Sequence, residues 1–503
     1  MTYTRLSAVD RLFLDIEDRR THMHIGGTCI FDPGALANAA GGVDSDTIRT
    51  YIESRLHLMP RLRQRIAYTP IEGHPVWVDD EHFNIRYHVR HTSVPRPGDQ
   101  RQLKRVIGWI NSQQLDRGKP LWEMWIIEGL SEGRFALVTK THHCMADGIS
   151  GADLMSILLS PNSAERTSDP HRWYPQAAPG ALTLFAHSVA TRITSPVAAA
   201  WQGLRSAVTA PGEILPRAGE TLSAIRQALV PAMEPTAQTP VNRLVGSQRR
   251  FDWFRMDLDE VKAIKSALGG KINDVVLTVV AGGVGKFLEL RGIPVYVQSA
   301  GPFRAFCPVS LRSTEEHDTF GNRVSNMITE LPIAEKNPLL RYERVCSMTA
   351  ASKKSGQAIG TELIENFCEW TSPRLLSVLT NLMARAGAYN LVVTNVPGPS
   401  IPLFLVGAPL REIYPLVPLF RDQGLGIALF SYDGGLFWGI NADRDMVPDL
   451  HDFSTAVEDS YRELRDAVGV RKSNSVCVGA APAANENTND ASAGTPRPGL
   501  RGH

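Results

Sequence analysis

His142-His143-Cys144-Met145-Ala146-Asp147-Gly148 is the stretch whose reading decides the architecture and chemistry of this 503-residue chain. Upstream, Arg134-Phe-Ala-Leu-Val-Thr-Lys-Thr141 is an apolar run that predicts a buried strand. Downstream, Ile149 to Leu159 places apolar residues at helical spacing. A histidine where a strand ends and a helix begins can project into a cleft, and imidazole is the side chain best suited to take a proton near neutral pH. Gly148 permits a tight turn there. Asp147 follows His143 by four residues, so one helical turn would let it fix the local backbone or a nearby arginine. Two other readings of the histidine pair stay open, a metal site and a pair of buried structural histidines. No HExxH pattern or Cys/His cluster lies nearby to complete a coordination shell, so no metal is expected.

Outward from this stretch, residues 1–160 alternate strand and helix signals, an α/β or α+β pattern with mixed sheets. Met23 to Phe31, Pro75 to Val78 and Leu121 to Gly129 read as strands. Asp46 to Leu56 and Gln102 to Leu115 read as helices, the first capped by Ser45 or Asp46. Residues 161–245 are punctuated by prolines between Ala-rich amphipathic pieces, such as 181–189 and 220–230, and predict a helical linker. Residues 246–470 form a second half, with helices over Asp257 to Leu268, from Asn273 to Leu290, and over Pro448 to Val468. Its strands are Pro308 to Leu311 and Tyr389 to Thr394, with a hairpin turning at Asp433-Gly434 between Gly424 and Asn441. The stretch Ile401 to Phe420 reads as an unusually apolar, Pro-rich loop. Residues 471–503 have few large apolar side chains, and disorder is expected there.

Composition narrows the classes. Hydrophobic content of 43%, charged content of 21% and a net charge of +1 describe a globular protein with no global reason to bind nucleic acid. The small basic clusters Arg61-Leu-Arg-Gln-Arg65 and Arg249-Arg250 read as solvated faces, or as contacts for a phosphate-bearing ligand. Six scattered cysteines without paired spacing point to reduced thiols in a cytoplasmic setting. No signal-peptide core and no apolar run of membrane-spanning length is present, so the expectation is a soluble protein or one held at a membrane surface.

Several blocks now add up to a resemblance. Ser7-Ala-Val-Asp-Arg-Leu-Phe13, Pro75-Val-Trp-Val-Asp79, Pro120-Leu-Trp-Glu123 and the His142–Gly148 motif are followed by Asn273-Asp-Val-Val-Leu277, Pro308-Val-Ser-Leu-Arg312, Gly321-Asn322 and Asn395-Val-Pro-Gly-Pro399. In this order, over about residues 5–468, they resemble the bacterial wax ester synthase/diacylglycerol acyltransferase family of mycobacterial type. The histidine heptapeptide alone would also fit condensation domains of peptide synthetases and other CoA-dependent acyltransferases. The resemblance implies two chloramphenicol-acetyltransferase-like domains joined by the linker. It also implies acyl-CoA as co-substrate with no permanently bound cofactor, and diacylglycerol or a long-chain alcohol as acceptor. His143 would be the general base. His142 would shape the site, and Asp147 would be structural, with Arg312 as one partner. Asn273 reads either as the oxyanion donor or as the N-cap of the helix that follows. No covalent acyl-enzyme is needed, since neither Ser150 nor Cys144 carries a nucleophile's signature. Both lipid substrates partition into membranes, so peripheral attachment to the inner membrane or lipid droplets is expected. The alternatives are an acyltransferase for another lipid or polyketide alcohol, and an inactive relative that binds lipid or coats droplets. Oligomeric state, acyl chain length and the CoA-binding basic residues are not legible.

Overall fold

In the computed structural model the described residues are 3–39, 41–70, 73–145, 151–164, 169–180, 183, 236–295, 301–310, 324–354 and 389–470. The strands and helices read from the sequence in the two halves are present, with others beside them. The first half holds β1 (Thr4–Arg5), α1 (Ala8–Ile16), β2 (His24–Phe31), α2 (Ser45–Arg55), β3 (Gln64–Tyr68), β4 (Pro75–Asp79), α3 (Ile85–His88), β5 (Val89–Ser93), α4 (Gln100–Ser112), β6 (Trp122–Glu128), β7 (Phe135–His142) and α5 (Gly151–Leu158). The second holds β8 (Arg249–Asp257), α6 (Leu258–Leu268), α7 (Ile272–Leu290), β9 (Arg304–Ser310), β10 (Val324–Glu330), α8 (Pro338–Lys354), β11 (Leu391–Val396), β12 (Phe404–Leu405), β13 (Ala408–Leu416), β14 (Leu425–Tyr432), β15 (Gly435–Asp443) and α9 (Leu450–Val468).

The local reasons are visible residue by residue. Helix α4 starts at Gln100, two residues before its expected start at Gln102, because Asp99 and Gln102 form a capping box. The cap of α2 is Asp44, one residue before the expected Ser45 and two before Asp46. Asp433 (φ 40°) and Gly434 (φ 73°) both sit in the left-handed region, the requirement of a two-residue hairpin turn, and Tyr432 pairs with Gly435 across it. Helix α7 is apolar on nearly every face and is buried accordingly. Among the described residues no single helix is long and apolar enough to cross a membrane.

Two six-stranded mixed sheets organise the chain, in the orders β12-β13-β2-β7-β6-β5 and β10-β9-β11-β14-β15-β8, with a small sheet β1-β4-β3 beside them. The apolar stretch read as a loop is a strand. β13 leaves the second half, runs antiparallel to β2 from Leu410↔Phe31 to Leu416↔Gly26, and completes the first sheet. Its apolar residues Leu410, Ile413, Tyr414 and Leu416 belong to the core of the first sheet, which explains their density. The segment 171–178, inside the expected linker, lies along the first half: Gln176 N–H donates to Asp79 Oδ2 at 3.0 Å and Trp173 meets Phe83 edge-on. The amphipathic pieces at 181–189 and 220–230, and the tail from 471, lie outside the described residues apart from position 183.

The two sheets touch backbone to backbone. A Cβ added at Gly439 of β15 would stand 1.9 Å from the carbonyl oxygen of Pro415 in β13. Gly439→Ala is therefore expected to lower stability by about 1–3 kcal/mol, the usual cost of overpacking. The measurement is the urea midpoint at unchanged slope, and an unaltered midpoint would mean that the sheets do not need this contact.

Candidate active site

His142 is the last residue of β7, and His143 opens a 3-10 turn, His143–Met145. β7 pairs with β2 so that His142 lies opposite His24. The His143 N–H donates to Met23 O at 2.7 Å, and the His142 N–H donates to Leu121 O at 2.9 Å. The Pro120-Leu-Trp-Glu123 block thus borders the motif directly. The His143 ring is half-buried and stacks on Phe13 of α1, centroids 3.7 Å apart. A positioned base needs such a fixed ring plane.

His142 is fully buried, and its role is visible in its two nitrogens. Nδ1 accepts the Cys144 N–H at 3.1 Å, which holds the 3-10 turn. Nε2 faces Glu17 Oε2 at 3.5 Å. Glu17 is the centre of a buried polar cluster that sequence reasoning did not find. Arg117 donates to its Oε2 through Nη2 (2.8 Å) and Nε (3.1 Å), and His24 Nε2 lies 3.7 Å from its Oε1. Burial alone would raise the Glu17 carboxyl, yet the His142 ring and the Arg117 guanidinium hold it well below the usual carboxylate range. Burial, with the Lys140 charge second, pushes His24 well below the usual histidine range. The available signal was indirect: Glu17 follows the Ser7–Phe13 block, and Arg117 lies inside the stretch ending at Glu123.

A second buried network sits on the same sheet. Lys140, with no exposed surface, donates to the carbonyls of Ile110 (3.1 Å) and Gln113 (3.0 Å) at the end of α4 and lies 3.3 Å from Glu123 Oε2. A cation at a helix C-terminus complements the helix dipole. Glu123 also meets Arg90 at 3.1 Å and accepts the Trp125 indole N–H at 3.0 Å. Trp122 is buried and donates its indole N–H to Leu62 O at 2.7 Å. His88 is clamped between Phe83 and Trp122, and burial pushes it down to about 4.

Asn273 is the second residue of α7, which overturns its reading as the N-cap. The cap position is Lys271, and the Asp274 carboxylate accepts its N–H at 2.7 Å. Asn273 Oδ1 instead accepts from Asn395 Nδ2 at 2.8 Å, so two of the quoted blocks meet side chain to side chain. That bond takes up the amide oxygen, which leaves the Asn273 NH2 group as the donor end. The pair belongs to the second half, at the end of β11, while His143 stands at the end of β7 in the first sheet. Asp147, its expected partner Arg312, Ser150 and Gly321-Asn322 lie outside the described residues. Cys144 is buried, and burial holds its thiol well above the usual range, the opposite of an activated nucleophile.

The basic clusters are only partly solvated: Arg250 is exposed, while Arg63 and Arg249 are buried. Arg61 stacks over Trp77 (4.6 Å) and Arg63 over Trp173 (5.1 Å). Arg249 is buried, donating to Gly246 O at 2.6 Å and to Arg20 O. Among the described residues no group of three His, Cys, Asp or Glu is placed to hold a metal ion.

Comparison with known proteins places this geometry in a lineage. Residues 6–276 match the profile of the wax ester synthase/diacylglycerol acyltransferase catalytic domain, and residues 320–465 match the C-terminal domain of the same enzymes. The chain belongs to the wax ester synthase/diacylglycerol acyltransferase family. It is 30% identical over 468 residues to a putative diacylglycerol O-acyltransferase of Mycobacterium tuberculosis, covering 92% of this chain and 90% of that protein. It is 31% identical over 475 residues to the probable diacylglycerol O-acyltransferase tgs1 of the same species, covering 91% and 95%. Among solved structures it resembles the wax ester synthase/diacylglycerol acyltransferase of Marinobacter aquaeolei VT8, with a TM-score of 0.66 and 25% identity over 93% of this chain and all of that one. The trichothecene 15-O-acetyltransferase TRI3 of Fusarium sporotrichioides shares the fold alone, at a TM-score of 0.55 and 12% identity over 92% of this chain and 95% of that one. The mixed α/β architecture expected for a CoA-dependent acyltransferase is thus present in this member of the family.

Proposed function

We propose that this chain transfers a fatty acyl group from acyl-CoA to the hydroxyl of diacylglycerol, giving triacylglycerol, with long-chain alcohols as second acceptors. The observation that carries the reading is the half-buried His143 ring, held at a strand end by Phe13 and Met23 within the catalytic-domain match. A neutral alcohol is a poor nucleophile. His143 takes the hydroxyl proton as the oxygen attacks the thioester carbonyl, forming a tetrahedral oxyanion. Collapse of that oxyanion breaks the carbon–sulfur bond, and the imidazolium returns its proton to the departing CoA thiolate. The Asn273 amide, oriented by Asn395, is our candidate donor to the oxyanion. His142 and Glu17 hold the turn that presents His143.

Transfer is direct, within a ternary complex, and the protein works from a membrane or droplet surface where both lipids reside. We retain a division into residues 1–160, a linker to 245 and a second half to 470, with β13 crossing into the first sheet. The test is incubation with radiolabelled palmitoyl-CoA. With dioleoylglycerol, labelled triacylglycerol should form, and with hexadecanol, wax ester. Without acceptor, no label should remain on denatured protein, and Cys144→Ala should make the same products. A stable labelled protein would overturn direct transfer, and failure with both acceptors would overturn the assignment.

A further inference from the structure

An open cleft of about 320 Å³ brings Arg19, Arg20 and Arg421 together with Asp18, Leu244 and Val245. Its position matters. Residues 18–21 lead straight into β2, whose first residue pairs with His142, and the intervening Met23 carbonyl receives the His143 N–H. Arg421 precedes β14, and Leu244 and Val245 precede β8. The cleft therefore opens at the end of the first sheet where His143 stands.

Three cations face one carboxylate. Asp18 Oδ1 accepts the N–H groups of Arg20 and Thr21, both at 2.7 Å, which folds the turn that presents Arg19 and Arg20. The main chain is pinned from behind: Arg20 O accepts from the buried Arg249, and Arg421 O accepts the Val245 N–H at 2.9 Å. The exposed Leu244 adds an apolar surface at the rim.

We propose that this cleft binds the phosphate groups of the CoA portion of the acyl donor. The inference deepens, and rests on, the acyl-CoA reading above. Guanidinium forks suit phosphate oxygens, which they grip in pairs. Diacylglycerol and fatty alcohols are uncharged, so the acceptor has no use for three arginines. CoA carries a diphosphate and a ribose phosphate on a long flexible pantetheine arm, so its anions can sit in this cleft while the thioester reaches His143. Adenine would lie on the exposed Leu244.

The probe is CoA itself, titrated calorimetrically into the full-length protein. Arg19→Glu/Arg20→Glu and Arg421→Glu should each weaken CoA binding by about tenfold or more, since each replaces a charge-assisted contact by a repulsion. Their thermal midpoints should match the unsubstituted chain, because the backbone bonds that shape the cleft remain. KM for palmitoyl-CoA should rise in the same variants, while transfer from palmitoyl-pantetheine, which lacks the nucleotide, stays unchanged. Equal CoA affinity in all three proteins would overturn the proposal. So would failure of the unsubstituted chain to bind CoA. So would loss of binding to phosphatidylglycerol vesicles with CoA affinity intact, which would assign the arginines to lipid phosphates. CoA binding that depends on the arginines without ester formation would uphold the cleft and sink the proposed function. Ester formation with arginine-independent CoA binding would do the reverse.

Discussion

His143→Ala is expected to lower the rate of acyl transfer by about 10²–10⁴-fold, the range for loss of a positioned general base. The substitution removes the ring but keeps the main-chain bond from residue 143 to Met23 O, so the turn at the end of β7 should survive. The stack on Phe13 is lost, at a cost of about 0.5–1.5 kcal/mol if it behaves as other stacked rings do. That is small beside the stability of a folded domain, so a near-wild-type thermal midpoint should accompany the loss of rate. Because the proton is taken only as the hydroxyl attacks, kcat should fall with little change in KM for either substrate. Release of free CoA thiol from palmitoyl-CoA in the presence of dioleoylglycerol is the measurement. Equal rates in the two proteins would remove His143 from the mechanism. His142→Ala offers the contrast. It removes the acceptor of the Cys144 N–H and the ring facing Glu17, so stability and rate should fall together.

The second large effect concerns Glu17. Its carboxylate is almost wholly enclosed, between Arg117, His142 and His24. Glu17→Ala leaves the half-exposed Arg117 guanidinium with the Leu14 carbonyl but without its carboxylate, so the cost should fall below the about 3–5 kcal/mol of breaking a fully buried ion pair. Glu17→Gln keeps the shape and should cost less. The pH dependence separates this group from its neighbours. The folded Glu17 is held below its unfolded value, so its contribution is present above about pH 4.3 and is lost as the pH falls below that. His24 and His88 are also depressed in the folded state. Their unfolded forms take up protons below about pH 6.5 while the folded forms resist, so stability declines from there downward. Thermal midpoints should thus fall in two stages on acidification. Glu17→Gln should shrink the lower stage, to which Asp18, Asp44 and Asp449 also contribute because they too are lowered in the folded state, and should leave most of the upper one. A variant profile parallel to the unsubstituted protein throughout would show that the carboxylate is not coupled to folding.

How much of this was written in the chain varies with the distance over which each feature is encoded. The Asp99 cap of α4 was not read, but the Asp433-Gly434 turn and the helix from Asn273 to Leu290 depend on residues a few positions apart, and each was readable. The histidine junction was readable for the same reason. The apolar stretch 401–420 was not, because its density suits either a greasy loop or a strand enclosed on both faces, and only its pairing with β2 separates the two. Arg61, Arg63 and Arg249 looked solvated because charge in a sequence carries no record of the aromatic ring or carbonyl that will lie over it.

By itself the sequence left out β8, β13 and the helix Pro338–Lys354 but determined the family, the histidine at the end of β7 and part of the strands and helices. These rest on short-range periodicity, turn stereochemistry and motif order, which survive without knowledge of neighbours in space. Tertiary structure alone decided that Arg117 closes on Glu17 across 100 residues, that Asn395 meets Asn273 across 122, and that β13 completes the other half's sheet. Those contacts form because buried charges and strand edges must find partners once water is excluded, and the partner is fixed by the folded surface rather than by neighbours along the chain.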